Sequence, residues 1–178
     1  FWTIRIYKVY SKLFCGTLET STQDSQQKDD EGFGLKLYKI ELLKYHELAP
    51  ILMRFLSSSE CMRANGYHFL KDKNRFIICR TFLKLLLAEY LGLHVDKITL
   101  DQDSNKKPYL PSHPSIFFNV SHACDYALIE IAKSPIGVDI EFINKKFAFT
   151  EILQNIFNTM EIDKVNNSSD KNLTFYKL

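Results

Sequence analysis

The chain has 178 residues, 46% of them hydrophobic, enough for one full-sized domain or for two small halves that share an interface. Its 23 basic and 21 acidic side chains leave a formal net charge of +2, so bulk charge gives no nucleic-acid footprint and any basic site must be local. The apolar opening is broken by Arg5, Lys8 and Lys12, which excludes the run of ~20 residues that a membrane span needs, and it shows no signal-peptide pattern.

Cys15, Cys61, Cys79 and Cys124 have no CxxC spacing and sit among apolar or helical neighbours. Neither a zinc cluster nor a disulfide framework is expected, and a reducing cytoplasm fits this usage. Residues 1–18 are open to several readings, among them an edge strand or an upstream extension. The stretch ETSTQDSQQKDDEG at 19–32 is polar and without aliphatic periodicity, so it is expected to be a flexible linker.

From Leu35 the elements follow one another closely. LKLYKIEL has strand composition, and PILMRFL and SECMRANGYHF suggest two short helical pieces. After Asp72, the residues Phe76, Cys79, Leu83, Leu86, Leu87 and Tyr90 recur at helical spacing and Gly92 supplies a stop, which predicts a long, half-buried helix. Three short apolar runs, IFFNV, YALIEIA and IGVDIEFI, are expected to be strands, and FTEILQNIFN, TMEIDKV and DKNLTFYKL return to helical spacing. That order favours an α+β layer architecture over a doubly wound parallel sheet. No short-period repeat is visible.

Three groups of residues could carry chemistry. Asp139 and Glu141, at i and i+2 on a predicted strand, project from one face and would suit Mg²⁺, a hard ion that often bridges one or two carboxylates to phosphates. Taken alone, the pair reads sooner as a solvated acidic face, because DxE on a strand is common. Phe118-Asn119-Val120-Ser121-His122 ends in a hydroxyl and an imidazole that could meet a phosphate, or it could be a turn with local hydrogen bonds. Ser121 and His122 are not expected to form a nucleophile pair, because neighbours on a strand point to opposite faces. Arg63, Arg75 and Lys107 are cations that could grip phosphate oxygens, with Lys107 biased toward extended backbone by Pro108; each taken alone reads sooner as an ordinary solvated charge.

In order and spacing these pieces resemble the Sfp-type 4′-phosphopantetheinyl transferases. That family carries ExxRAxxxxFxxDxxR, a long helix, KP, FNxSH, G(V/I)DIE, FxxxE and WxxKE. The counterparts here are Glu60 to Arg63 with Phe69, Asp72 and Arg75; Lys107-Pro108; Phe118 to His122; Gly137 to Glu141; and Phe157 with Glu161. The likeness runs over residues 35–178, and the chain ends at Phe175-Tyr176-Lys177-Leu178 before a WxxKE block, as a fragment would.

The resemblance implies a fold of two pseudo-symmetric halves, the first complete and the second partial. Residues 1–34 would then be an extension and linker, 35–145 the first half and 146–178 the start of the second. It also implies Mg²⁺-dependent transfer of phosphopantetheine from coenzyme A to a serine of an acyl or peptidyl carrier protein, releasing 3′,5′-ADP, by a cytoplasmic monomer without nucleic-acid or membrane partners. Asp139 and Glu141 would hold the metal, and Arg63, Arg75, Lys107, Pro108, Ser121 and His122 would bind coenzyme A. Glu161 would help to take the serine proton, giving Asp139, Glu141 and Glu161 as the catalytic set. Two other readings stay open: an inactive fragment that keeps coenzyme A binding, and a carboxylate-metal nuclease or phosphohydrolase.

Overall fold

The computed structural model describes residues 2–8, 13–18 and 35–178; the expected linker at 19–32 lies outside the described residues. Eight strands occur in chain order: β1 (Trp2–Lys8), β2 (Leu13–Leu18), β3 (Lys36–Glu41), β4 (Asp101–Gln102), β5 (Pro108–Tyr109), β6 (Phe117–Ala123), β7 (Tyr126–Ala132) and β8 (Ile136–Phe142). The helices are α1 (Ala49–Leu52), α2 (Ser58–Asn65), α3 (Leu70–Leu91), α4 (Leu153–Ile156), α5 (Thr159–Asn166) and α6 (Lys171–Lys177), with short 3₁₀ segments between them. The α+β expectation holds, and residues 2–8 and 13–18 form strands.

Two three-stranded antiparallel sheets have the orders β3-β7-β6 and β8-β1-β2. Each begins with a strand that leads into helices and places a hairpin beside it. They meet where Ser121 Oγ on β6 accepts from the Ile140 backbone N–H at 3.2 Å and donates to Asp139 Oδ1 on β8 at 2.6 Å. One hydroxyl thus joins the two sheets.

The main core lies between α3 and the β3-β7-β6 sheet, where Ile77, Ile78, Leu83 and Leu87 pack on Ile40, Phe118, Ala127, Ile129 and Ile131. Burial of that apolar surface is the principal stabilising term. The expected helix after Asp72 is present, but it begins at Leu70 with Phe69 as an N-cap that gives no side-chain bond, and Asp72 falls in the first turn. Gly92 ends it in the left-handed conformation at φ +65°, which suits glycine because it lacks a Cβ. A smaller core joins the last helices, with Phe149 stacked on Phe175 at 4.9 Å and Leu153 and Val165 buried beside them.

The helices repeat over a long period that the residues conceal. The N-caps Ser57 and Asn158, the box glutamates Glu60 and Glu161, the buried Ala64 and Val165, and the next N-caps Phe69 and Asp170 all stand 101 residues apart. Geometry is preserved while most side chains differ.

Candidate nucleotide-binding cleft

The cleft is built on one face of α3. Asp72, Arg75, Phe76, Cys79, Arg80 and Leu83 follow at spacings of three and four, so they form a single stripe. Across from them stand Arg63 and Tyr67 from α2 and the residues after it, Pro108 from β5, and Val120 and His122 from β6. The enclosed space is about 180 Å³. Its apolar wall of Tyr67, Phe76, Leu83, Pro108 and Val120 and its rim of three guanidinium groups combine a surface for a flat base with donors for phosphate.

Each cation is held. Arg75 Nη2 donates to Asp72 Oδ1 at 2.6 Å, one helical turn away, which fixes its direction and leaves its other N–H groups available. Arg63 and Arg80 stand over the Phe76 ring at 5.0 and 5.6 Å, close enough for cation–π attraction. Arg80 is only 10% exposed and its Nε lies 3.5 Å from Glu60 Oε1. Burial pulls its pKa down, Glu60 works against that, and Arg63 adds to it. His122 is held below the usual histidine range, first by partial desolvation and then by the positive charge of Arg75. At neutral pH its imidazole is uncharged and can gain a proton when an anion arrives. Burial pushes the Cys79 thiol up to about 12, so it is no nucleophile here.

The structure brings together Arg63, Arg75, Pro108 and His122 of the residues expected from sequence. It leaves Lys107 on the exposed turn outside the cleft lining, where its backbone N–H donates to Asp103 Oδ1 at 2.8 Å. Ser121 faces β8, opposite to His122, as the strand alternation requires. Asp139 and Glu141 share a face of β8, Asp139 half-buried under the Ser121 hydroxyl and Glu141 exposed. Among the described residues, no group of three or more His, Cys, Asp or Glu gathers to hold a metal. Glu161 does not join the pair. Its Oε2 accepts from the Asn158 backbone N–H at 3.0 Å while its own N–H donates to Asn158 Oδ1 at 3.0 Å, so it closes the start of α5.

Sequence reasoning missed Arg80, Tyr67 and Phe76 as cleft residues. Helical spacing could have found two of them, since Phe76 and Arg80 follow Asp72 at four and eight residues; Tyr67 precedes the predicted helix and gave no such signal.

Residues 45–134 match the family profile described as 4′-phosphopantetheinyl transferase, N-terminal. That segment contains every cleft residue named above, and Asp139, Glu141 and Glu161 lie beyond it. The chain is similar to the 4′-phosphopantetheinyl transferase HetI of Nostoc sp. strain PCC 7120, at 27% identity over 139 residues, covering 76% of this chain and 59% of that protein. It is also similar to the L-aminoadipate-semialdehyde dehydrogenase-phosphopantetheinyl transferase of Mus musculus, at 28% over 116 residues, covering 62% and 37%. The chain spans about half of the length of such relatives. Among solved structures, a holo-(acyl-carrier-protein) synthase from Bacillus anthracis in complex with CoA (3′,5′-ADP) matches at 20% identity and TM-score 0.47, covering 55% of this chain and 92% of that one.

Proposed function

Because this chain belongs to the 4′-phosphopantetheinyl transferase family, we propose that its cleft binds coenzyme A and that it serves transfer of phosphopantetheine to a carrier-protein serine. The observation that carries this reading is the convergence of Arg63, Arg75, Arg80 and His122 around an apolar wall, all inside the family-matched segment. The wall would take the adenine. The guanidinium groups would take phosphate oxygens as charge-assisted donors, and a neutral His122 would add a hydrogen bond or a proton. In the transfer, the serine oxygen forms a bond to the β-phosphorus of coenzyme A, the bond to 3′,5′-ADP breaks, and the serine proton is lost.

Asp139 and Glu141 fit Mg²⁺ by donor chemistry, since both offer carboxylate oxygens from one strand face and the Ser121 hydroxyl fixes one of them. When bound there, Mg²⁺ would stabilise charge on the phosphate under attack and on the leaving group. The catalytic assignment retains Asp139 and Glu141. Glu161, whose carboxylate already closes a helix, would act as proton acceptor only by leaving that cap. The proposed halves at 35–145 and 146–178 find support in the helices, α2 and α3 lying in one and α5 and α6 in the other, and residues 1–34 stand before them.

The free thiols Cys61, Cys79 and Cys124 support a cytoplasmic setting. Among the described residues no helix is long and apolar enough to cross a membrane. A binding-only reading has one observation in its favour: every cleft residue lies inside the family-matched segment, and Asp139 and Glu141 lie beyond it.

Calorimetry with coenzyme A and 3′,5′-ADP, together with mass spectrometry of an apo carrier protein incubated with coenzyme A and Mg²⁺, separates these readings. Transfer gives one added arm on the carrier, and Asp139→Asn abolishes it. Binding with no mass shift leaves the binding-only reading, and no affinity for either nucleotide overturns both.

A further inference from the structure

Arg80 stands in the cleft wall, and what fixes it lies behind the wall. Glu60, 12% exposed, is engaged through both carboxylate oxygens. Oε1 faces Arg80 Nε at 3.5 Å, while Oε2 accepts from the Ser57 backbone N–H at 2.8 Å and lies 3.6 Å from Lys84 Nζ. Lys84 in turn donates to the Phe55 carbonyl at 2.6 Å, and Thr81 Oγ1 donates to the Leu52 carbonyl at 3.2 Å. The carboxylate has little freedom to rotate.

A buried ion pair is weak evidence of stability, because apolar side chains of the same volume often do as well. This one sits beside Arg63 and Arg75 at the mouth of a cleft, where three like charges repel in the absence of an anion. With Nε turned to Glu60, the Nη groups of Arg80 are the donors that remain. We infer that Glu60 is a positioning residue that holds the Arg80 guanidinium in the cleft wall so that Arg80 contacts a phosphate of the bound nucleotide. This rests on the coenzyme A reading. A glutamate that would otherwise serve only a helix cap thereby links the start of α2 to the ligand.

The test uses Glu60→Gln, which keeps an oxygen for the cap and removes the charge. Calorimetry with 3′,5′-ADP and with 5′-AMP shows which phosphate is involved: preferential loss for 3′,5′-ADP assigns the 3′-phosphate, and equal loss for both assigns the 5′-phosphate. Affinity for 3′,5′-ADP should fall about tenfold, the scale of one charge-assisted hydrogen bond. In an Arg80→Ala background the same change should alter affinity by less than about twofold, because the two residues act through one contact. Equal losses in both backgrounds would show that Glu60 acts independently of Arg80 and would overturn the inference. An independent readout needs no ligand: the Arg80 Nε–Hε resonance should exchange slowly with solvent in the wild type and rapidly in Glu60→Gln. Protection that persists in the variant overturns the inference. If the wild type binds neither nucleotide, the coenzyme A reading fails and the resonance still decides whether Glu60 holds Arg80.

Discussion

Glu60 and Glu161 occupy equivalent places in two helices of equal length, each closing a capping box with the residue three before it. Around Glu60 the next helix brings Arg80 and Lys84 to the carboxylate, whereas Glu161 has its cap contacts alone among the described residues. The same local motif therefore does two jobs. In α5 it satisfies backbone donors that a helix start leaves open, and in α2 it also faces two cations beneath the cleft. What the difference teaches is that a helix cap becomes part of a site when a long neighbouring helix supplies charges at the right height.

The largest effect should come from removing the two carboxylates in turn. Glu60→Ala leaves Lys84, buried, and Arg80, nearly so, without their anion and should destabilise the chain by about 3–5 kcal/mol. Glu161→Ala should cost about 1 kcal/mol, the usual value of a cap. Urea melts of the two variants check the contrast, and equal losses would remove it. Lys84→Met sharpens the comparison by making Glu60 more like Glu161. It removes the 2.6 Å bond to the Phe55 carbonyl and should cost about 1–2 kcal/mol while nucleotide affinity stays within about twofold, since Arg80 keeps its partner. A smaller loss, about 1 kcal/mol, is expected for Gly92→Ala. A Cβ there meets no atom within 4 Å, so only the left-handed backbone is penalised. Thermal melts decide whether the end of α3 matters to the cleft, because calorimetry on the same variant should show unchanged affinity.

Much of this was legible in the sequence because the signals were local. Apolar runs bounded by Pro and Asn marked β6, β7 and β8, and helical spacing from Phe76 to Tyr90 marked α3. The carboxylates of Asp139 and Glu141 fell on one face because a strand alternates. What stayed hidden depends on contacts between distant residues. Ser57 and Glu60 can be seen as a box in the sequence, but the return of Arg80 and Lys84 to it follows from how α3 folds back over α2. Thr81 and Lys84 turn toward carbonyls of residues 52 and 55, so the α3 stripe is partly polar and apolar periodicity underestimates how much of the helix is buried. Lys107 shows the opposite case: a motif position fixed its backbone without carrying its side chain into the cleft. The helical repeat was invisible since Ala64 and Val165, or Phe69 and Asp170, keep a place and change a residue.

The smallest expected effect is on pH, and it extends the comparison to charge, because α2 and α3, unlike α5 and α6, line a cationic cleft among the described residues. Desolvation, then Arg75, lowers the His122 pKa, whereas Asp72 and Asp139 raise it less; the net direction is down from 6.5. The folded chain therefore resists a proton that the unfolded chain accepts. Its contribution to stability is fully present above 6.5 and is lost as pH falls from there toward the lower folded pKa. Part of the imidazole remains in water, so the effect is small. His122→Gln should flatten this part of a melting-temperature profile taken from roughly pH 7.5 to 5, and an unchanged profile would show that His122 does not sense Arg75. Binding reverses the direction. A phosphate placed between Arg75 and His122 favours the imidazolium, so 3′,5′-ADP should bind more tightly as pH falls through the same window, with proton uptake seen as a buffer-dependent calorimetric heat. If affinity is flat with pH in the wild type and in His122→Gln alike, the imidazole does not face the phosphate.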